Sequence, residues 1–207
     1  MNVNSPPVNT PQGDALQGNA PQIIIRASRD EDVEAMLAIY RHHIARGVDP
    51  SAMHDAEMPD PDDIKKRRRS MRKHQIPHLV AESGGTVVGY AYAVLFRKRP
   101  AYRYTLKHSI YVHPDHLNAG IGRVLLPALI DACAAAGYRQ LIGYIEAANA
   151  PSLKLHMTCG FKEIGLLPSV GFKFGQWIDV VMVQRSLGSG GTAPPDVWLA
   201  ADSDAGA

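Results

Sequence analysis

The sequence predicts a mixed α/β fold, a central sheet flanked by helices, and three observations predict it. Along residues 23–187, hydrophobic spacing switches repeatedly between period two and the helical period. Runs suited to hairpins stand toward both ends of that region, one of them turning at Gly84-Gly85. In the middle, the alternating run His108-Ser109-Ile110-Tyr111-Val112 passes through a short glycine-bearing connection into a helix marked by Val124, Leu125, Ala128, Leu129, Ala132 and Ala135. With 207 residues, 45% of them hydrophobic, the chain has material for one well-buried core and little room for a second.

Ile23-Ile24-Ile25-Arg26 reads as the first strand. Asp30 to Arg46 reads as a helix with Val33, Met36, Leu37, Ile39 and Tyr40 inward; its first turn is acidic, matching the positive end of the helix dipole. Pro and Asp make Gly47 to Pro61 an irregular connection. A second helix runs from near Asp62 to about His74, with Ile64, Arg68 and Met71 facing the protein. His78 to Glu82 and Thr86 to Leu95 form a hairpin, and Thr105 to Val112 is the next strand. The helix after it ends near Gly137, a suitable C-terminal glycine. Gln140 to Glu146 is a strand. Pro151 belongs in the first turn of a helix capped by Asn149 or Ala150 and closed by Gly160. Phe161 to Val170 and Gln176 to Gln184 supply the last two strands.

Composition narrows the function classes. A net charge of +2 neither requires nor excludes nucleic acid. The basic run Lys65-Lys66-Arg67-Arg68-Arg69, continued by Arg72 and Lys73, reads as a solvated helix face, so no nucleic-acid partner is expected. Cys133 and Cys159 fall in predicted helices without ligand spacing, the usage of a reduced cytoplasmic protein. No segment reaches transmembrane length and the N-terminus lacks a signal-peptide core, so no membrane role is expected. Nine histidines show no spacing such as HExxH, and no metal is expected. Residues 1–22 and 188–207 are expected to be flexible tails around a domain spanning 23–187, with Trp198 a candidate anchor for the second tail.

The loop Leu117-Asn118-Ala119-Gly120-Ile121-Gly122 carries the strongest chemical signal. A glycine loop that opens a helix presents several backbone N–H groups without intrahelical partners, aimed at one spot beside the positive dipole end. That arrangement suits a phosphate or pyrophosphate. A side chain at Gly120 or Gly122 would hold an anion away from the backbone. The loop lacks the Lys-Ser/Thr ending of a nucleotide-triphosphate loop.

This strand–loop–helix unit resembles the coenzyme motif of the GCN5-related N-acetyltransferases, where (Gln/Arg)-x-x-Gly-x-(Gly/Ala) holds the pyrophosphate of acetyl-coenzyme A (acetyl-CoA). Leu117 stands where that motif has Gln or Arg. Further segments occur in the family's order: Tyr92-Ala93, Arg97 to Tyr102, the strand into Tyr111-Val112, Asn149 to His156, and Gly171 to Asp179. Together they resemble the phosphinothricin and methionine sulfoximine N-acetyltransferase branch over roughly residues 23–187. The resemblance implies a mostly antiparallel sheet with two central strands splayed to admit acetyl-CoA, and a homodimer. It also implies transfer of acetyl to the primary amine of a small amino-acid-like substrate.

Acyl transfer from a thioester to an amine requires that the donor be held, the amine lose a proton, the carbonyl oxygen be stabilised and the thiolate be protonated. The resemblance assigns the grip on acetyl-CoA to Leu117, Asn118, Gly120, Ile121, Gly122 and Arg123, with the backbone of Ile110 and Val112 pairing with the pantetheine arm. The N–H of Ile110 is the candidate for polarising the acetyl carbonyl. Asn149, Ser152 and His156 share one helix face by their spacing of three and four. The resemblance implies that Asn149 and Ser152 contact the coenzyme and that His156 is the acid that protonates the thiolate. The plainer reading makes Asn149 a helix cap and His156 a partly buried histidine.

Lys107 occupies the position where this branch commonly carries a glutamate base. A lysine is normally protonated at neutral pH, so three readings stand beside one another: a depressed pKa, another base, or a lost activity. A fourth keeps Lys107 charged as a partner for an acid group on the substrate. His108 faces the other side of the strand and is no automatic replacement. The resemblance makes Arg97 and Arg99, with Lys107, Lys173 and Trp177, the candidate acceptor contacts; the plainer reading makes the arginines a solvated hairpin end and Trp177 core packing. The rival readings are acetylation of another amine, such as a polyamine, an antibiotic or a protein N-terminus, and a weakly active acyl-CoA-binding module.

Overall fold

A computed structural model describes residues 22–44, 60–173 and 175–195. Seven strands form one sheet: β1 (Ile23–Ala27), β2 (His78–Ser83), β3 (Thr86–Leu95), β4 (Thr105–Val112), β5 (Gln140–Glu146), β6 (Lys162–Lys173) and β7 (Gln176–Ser186). Their spatial order is β1-β2-β3-β4-β5-β7-β6. The β4–β5 pair is parallel and the others antiparallel. A parallel pair needs a crossover. Helix α3 (Ile121–Ala135) supplies it; α1 (Val33–Ile44), α2 (Pro61–Lys73) and α4 (Ala150–Thr158) complete the helices among the described residues.

Local signals explain these boundaries. The first helix opens as a 3-10 turn over Asp30–Asp32, where Asp32 accepts a 2.6 Å bond from the Arg29 N–H before α1 begins. Its expected end at Arg46 and the irregular connection to Pro61 lie mostly outside the described residues, as do Trp198 and most of both tails. α2 starts at Pro61, because Asp60 caps the Asp62 N–H at 2.8 Å and proline suits the first helical position. Gly84 and Gly85 both have positive φ, the requirement of a tight two-residue hairpin turn. β4 and β5 have the bounds their periodicity predicts. β6 runs past its predicted end because the hairpin ladder continues to Lys173↔Gln176, and β7 runs past Gln184 because Arg185 and Ser186 still pair with Leu141 and Gln140 of β5.

Two apolar clusters lie on the sheet. The larger packs Leu125, Leu126 and Leu129 of α3 onto Leu106 and Leu141. The smaller joins Val33, Met36, Leu37 and Ile39 of the first helix to Val80, Val87 and Tyr90. Arg68 turns inward from the basic face of α2 and donates to Ser28 and Asp30, while Met71 is buried nearby. One of the basic residues is thus an anchor for the helix.

Candidate active site

The centre of the sheet forks. β4 and β5 pair from Thr105↔Gln140 to His108↔Gly143 and then part. Beyond that point β4 continues to Val112 along β3, and β5 continues to Glu146 along β7. Ile110 and Val112 therefore line one arm of an opening whose apex is His108. This is the splayed pair that the resemblance implied. The Val112 carbonyl accepts from His43 Nε2 at 2.8 Å.

His156 projects from α4 to the apex and is 2% exposed. Its Nε2 lies 2.9 Å from His108 Nε2. The outer nitrogens meet carbonyls: His108 Nδ1 is 3.0 Å from the Ile142 oxygen, and His156 Nδ1 is 2.7 Å from the Ser152 oxygen. Phe161 closes the pair from the side, its ring centroid 5.2 Å from His108 and 5.1 Å from His156. Burial pushes both imidazoles down, and for His108 the neighbouring His156 adds to it while the Ile142 carbonyl opposes. Gly143 makes room for this pair, since a Cβ there would sit 2.9 Å from Val183 and 3.0 Å from the His108 ring.

The glycine loop stands at the open end of the fork. Gly120 caps α3 with φ +83, a conformation that favours glycine. Within the loop, Leu117, Ala119 and Arg123 donate to the carbonyls of Pro114, His116 and Gly120. Among the described residues, no carbonyl takes the N–H groups of Asn118, Gly120, Ile121 or Gly122, so these four remain for an anion. Leu117 is 51% exposed and Arg123 is exposed, while Ile121 is buried. Gly122 has a packing reason as well: a Cβ would meet Leu155 at 2.9 Å, so its absence lets α4 approach α3. A donor with a pyrophosphate fits this cradle.

On α4, the Asn149 side chain accepts from the Ser152 N–H at 3.2 Å. Asn149 is the cap of the plainer reading, with its amide nitrogen left to donate elsewhere. Ser152 Oγ lies 3.5 Å from His156 Nδ1. Lys107 is exposed and belongs to the sheet face opposite His108, beside Val94 and Ile142 in the ladders.

The expected acceptor set is divided between two ends of the sheet. Arg97 and Arg99 are exposed in the connection that enters β4 at Thr105, the closed end of the fork. Arg97 stacks its guanidinium on Phe96 and Tyr102 at 5.3 and 5.5 Å. Trp177 and the backbone of Lys173 stand at the β6–β7 tip, at the open end; Trp177 is 65% exposed and packs against Phe172. Sequence reasoning set His108 aside, because strand alternation shows which residues share a face but not which face α4 covers. The adjacent sheet face carries stacked His78, Tyr90, Tyr92 and Tyr111 rings.

Comparisons agree with this geometry. Residues 34–161 match the profile of the acetyltransferase (GNAT) family. A phosphinothricin N-acetyltransferase of Alcaligenes faecalis is 44% identical over 173 residues, covering 83% of this chain and 86% of the relative. An L-methionine sulfoximine/L-methionine sulfone acetyltransferase of Salmonella typhimurium is 36% identical over 163 residues, covering 79% and 94%. The crystal structure of a phosphinothricin acetyltransferase from Sinorhizobium meliloti in complex with acetyl-CoA superposes with a TM-score of 0.79 at 35% identity, covering 87% of this chain and 97% of that one. The forked sheet, the free loop amides and these relatives lead to one statement: the chain belongs to the GNAT acetyltransferase family, enzymes that take acetyl-CoA as acetyl donor.

Proposed function

We propose that this enzyme acetylates the primary amine of a small amino-acid-like acceptor that bears an acid group, of the phosphinothricin and methionine sulfoximine type. One observation carries the reading: His156 sits at the apex of the β4–β5 fork, between the anion cradle at one end of β4 and the basic Arg97–Arg99 segment at the other. The donor is gripped through the amides of Asn118, Gly120, Ile121 and Gly122, flanked by Leu117 and Arg123. Ile110, Val112, Asn149 and Ser152 align its arm toward the apex. The amine attacks the thioester directly in a ternary complex, and His156 protonates the departing thiolate. Arg97, Arg99 and Lys107 supply positive charge for the acceptor's carboxylate or phosphinate.

The relatives named as phosphinothricin and methionine sulfoximine acetyltransferases support the acceptor class. The reading places the enzyme in the cytoplasm; no helix among the described residues is long and apolar enough to cross a membrane. It also makes the enzyme a homodimer through the outer hairpin, where Leu166, Val170, Phe172 and Trp177 are each more than half exposed. Lys107 and Leu117 favour a second reading, a coenzyme-binding module with little turnover. Thiol release from acetyl-CoA separates the two. Phosphinothricin, methionine sulfoximine and methionine sulfone should support saturable turnover, with polyamines and ordinary amino acids poorer. Tight acetyl-CoA binding without thiol release on any amine would establish the binding module instead.

A further inference from the structure

The hydrogen-bond inventory of the two buried histidines does not close with two protons. Four ring nitrogens and two carbonyl oxygens form one chain: Ile142 oxygen, His108, His156, Ser152 oxygen. Carbonyl oxygens only accept, so both Nδ1 atoms must donate. Two neutral imidazoles would then face each other with bare Nε2 lone pairs at 2.9 Å. The alternative tautomer of either ring aims an Nδ1 lone pair at a carbonyl 2.7 or 3.0 Å away. The Ser152 hydroxyl does not rescue it, since at 3.5 Å it lies farther from His156 Nδ1 than the Ser152 carbonyl does.

We infer that His108 and His156 together hold one extra proton between their Nε2 atoms, and that His108 is the positioning residue that keeps His156 loaded as a proton donor. Three contacts then have three protons, and each is a hydrogen bond. A charge-assisted bond of this kind is stronger than a neutral one and gains further from low local polarity. It opposes the burial that disfavours the charge. A second extra proton would leave two N–H groups facing each other, so the pair stops at one.

Among the described residues, the surroundings contain no competing partner. Lys107 of β4 faces the opposite side of the sheet, and Tyr144 and Glu146 of β5 are exposed. Lys154 of α4 is exposed, and Cys159, just past the end of α4, is half-buried, its thiol pushed up by burial. Cys133 of α3 is a buried thiol, pushed up to about 12 by that burial. Arg185 of β7 lies against Gly160. Among the described residues, the His156 ring is the one charged group that bears on His108, and none bears on His156.

This deepens the proposed acetyl transfer and rests on it for its use. As the amine nitrogen bonds to the acetyl carbon, the carbon–sulfur bond breaks and the thiolate takes the shared proton to become a thiol. The new amide nitrogen sheds one proton, and the now neutral pair takes one up. The cycle consumes no other reagent.

Nitrogen-15 spectra of the histidine-labelled full chain test the pairing without any substrate. Both Nδ1 atoms should be protonated near pH 7, with a third, strongly downfield proton coupled to both Nε2 atoms. Assignment comes from its loss in His108→Phe. A spectrum with either ring in the Nε2-protonated neutral form, or with no third proton, overturns the inference. The kinetic arm compares thiol release by wild type and a folded His108→Phe. The variant should lose ~10²-fold in kcat, within the range of general acid catalysis. Its basic pH limb should move to lower pH, because the imidazolium has lost its acceptor, while KM for acetyl-CoA stays put. Unchanged kcat and pH profile would also overturn it. If the third proton is present but wild type acetylates no amine, the pairing stands and the proposed function fails.

Discussion

Single residues in this protein are buried in ways that make pH a probe. His78 lies in the stack of Tyr90 and Tyr92, and its Nδ1 is a buried atom without a hydrogen-bond partner among the described residues. Burial pushes its imidazole down to about 3, with Arg68 adding to the effect. The unfolded chain takes up this proton near the ordinary value of 6.5 while the folded chain refuses it. Stability from His78 is therefore complete above the unfolded pKa and is lost as pH falls from about 6.5 toward about 3. Asp30 and Asp32 act lower in pH, because Arg69 and Arg68 hold the first below the usual carboxylate range, and Arg26 holds the second there against burial. Urea unfolding at pH 7 and pH 5 separates the windows. His78→Phe, which keeps a ring in the stack, should lower the loss between those pH values by at most ~2 kcal/mol relative to wild type. An unaltered difference would mean that His78 is solvated in the native state.

At the scale of elements, α4 is short, and its placement matters more than its intrinsic stability. The Asn149 cap sets its start, the missing side chain of Gly122 sets its distance from α3, and Gly143 gives His108 the room to meet it. Gly143→Ala should cost about 1–3 kcal/mol, since neither the Val183 methyl nor the imidazole can yield without repacking. The same change should displace the His108 ring, so acetyl transfer should fall further than stability accounts for. Thermal melting beside kcat at a temperature where the variant is folded measures both; parallel loss of the two would contradict the positioning role.

Much of this level was legible in the sequence. The alternation from Thr105 to Val112 and the α3 stripe of Leu125 and Leu129 define their elements because each buries one face. Arg68 and Met71 were legible as inward positions by helical period alone. The end of the β4–β5 ladder at His108 was not, since hydrophobic period says nothing about where two strands part. His108 was missed for the related reason that its partner is 48 residues away on a helix whose docking face only tertiary packing decides.

Across the whole molecule, β4 is the axis of function. The anion cradle follows its open end, the basic Arg97–Arg99 segment precedes its closed end, and the histidine pair lies between them. In the proposed reaction donor and acceptor thus have separate approaches to one apex, as direct transfer requires. The hairpin of β6 and β7 is the outer edge of the sheet, and its exposed Leu166, Val170, Phe172 and Trp177 are the surface assigned to the homodimer. Light scattering should give twice the 22.5 kDa chain mass, and Leu166→Lys with Phe172→Lys should give the single-chain mass. A wild-type monomer would remove the dimer and leave the active site untouched.

In the proposed reaction His156, at the apex of the fork, is the acid of acetyl transfer. Steady-state thiol release from acetyl-CoA, measured for wild type and His156→Ala with saturating phosphinothricin, tests it most directly. The substitution should lower kcat by ~10²- to 10⁴-fold and leave KM for acetyl-CoA nearly unchanged, since the proposed grip on the donor is through the loop amides. A His156→Ala enzyme that keeps full turnover would contradict it.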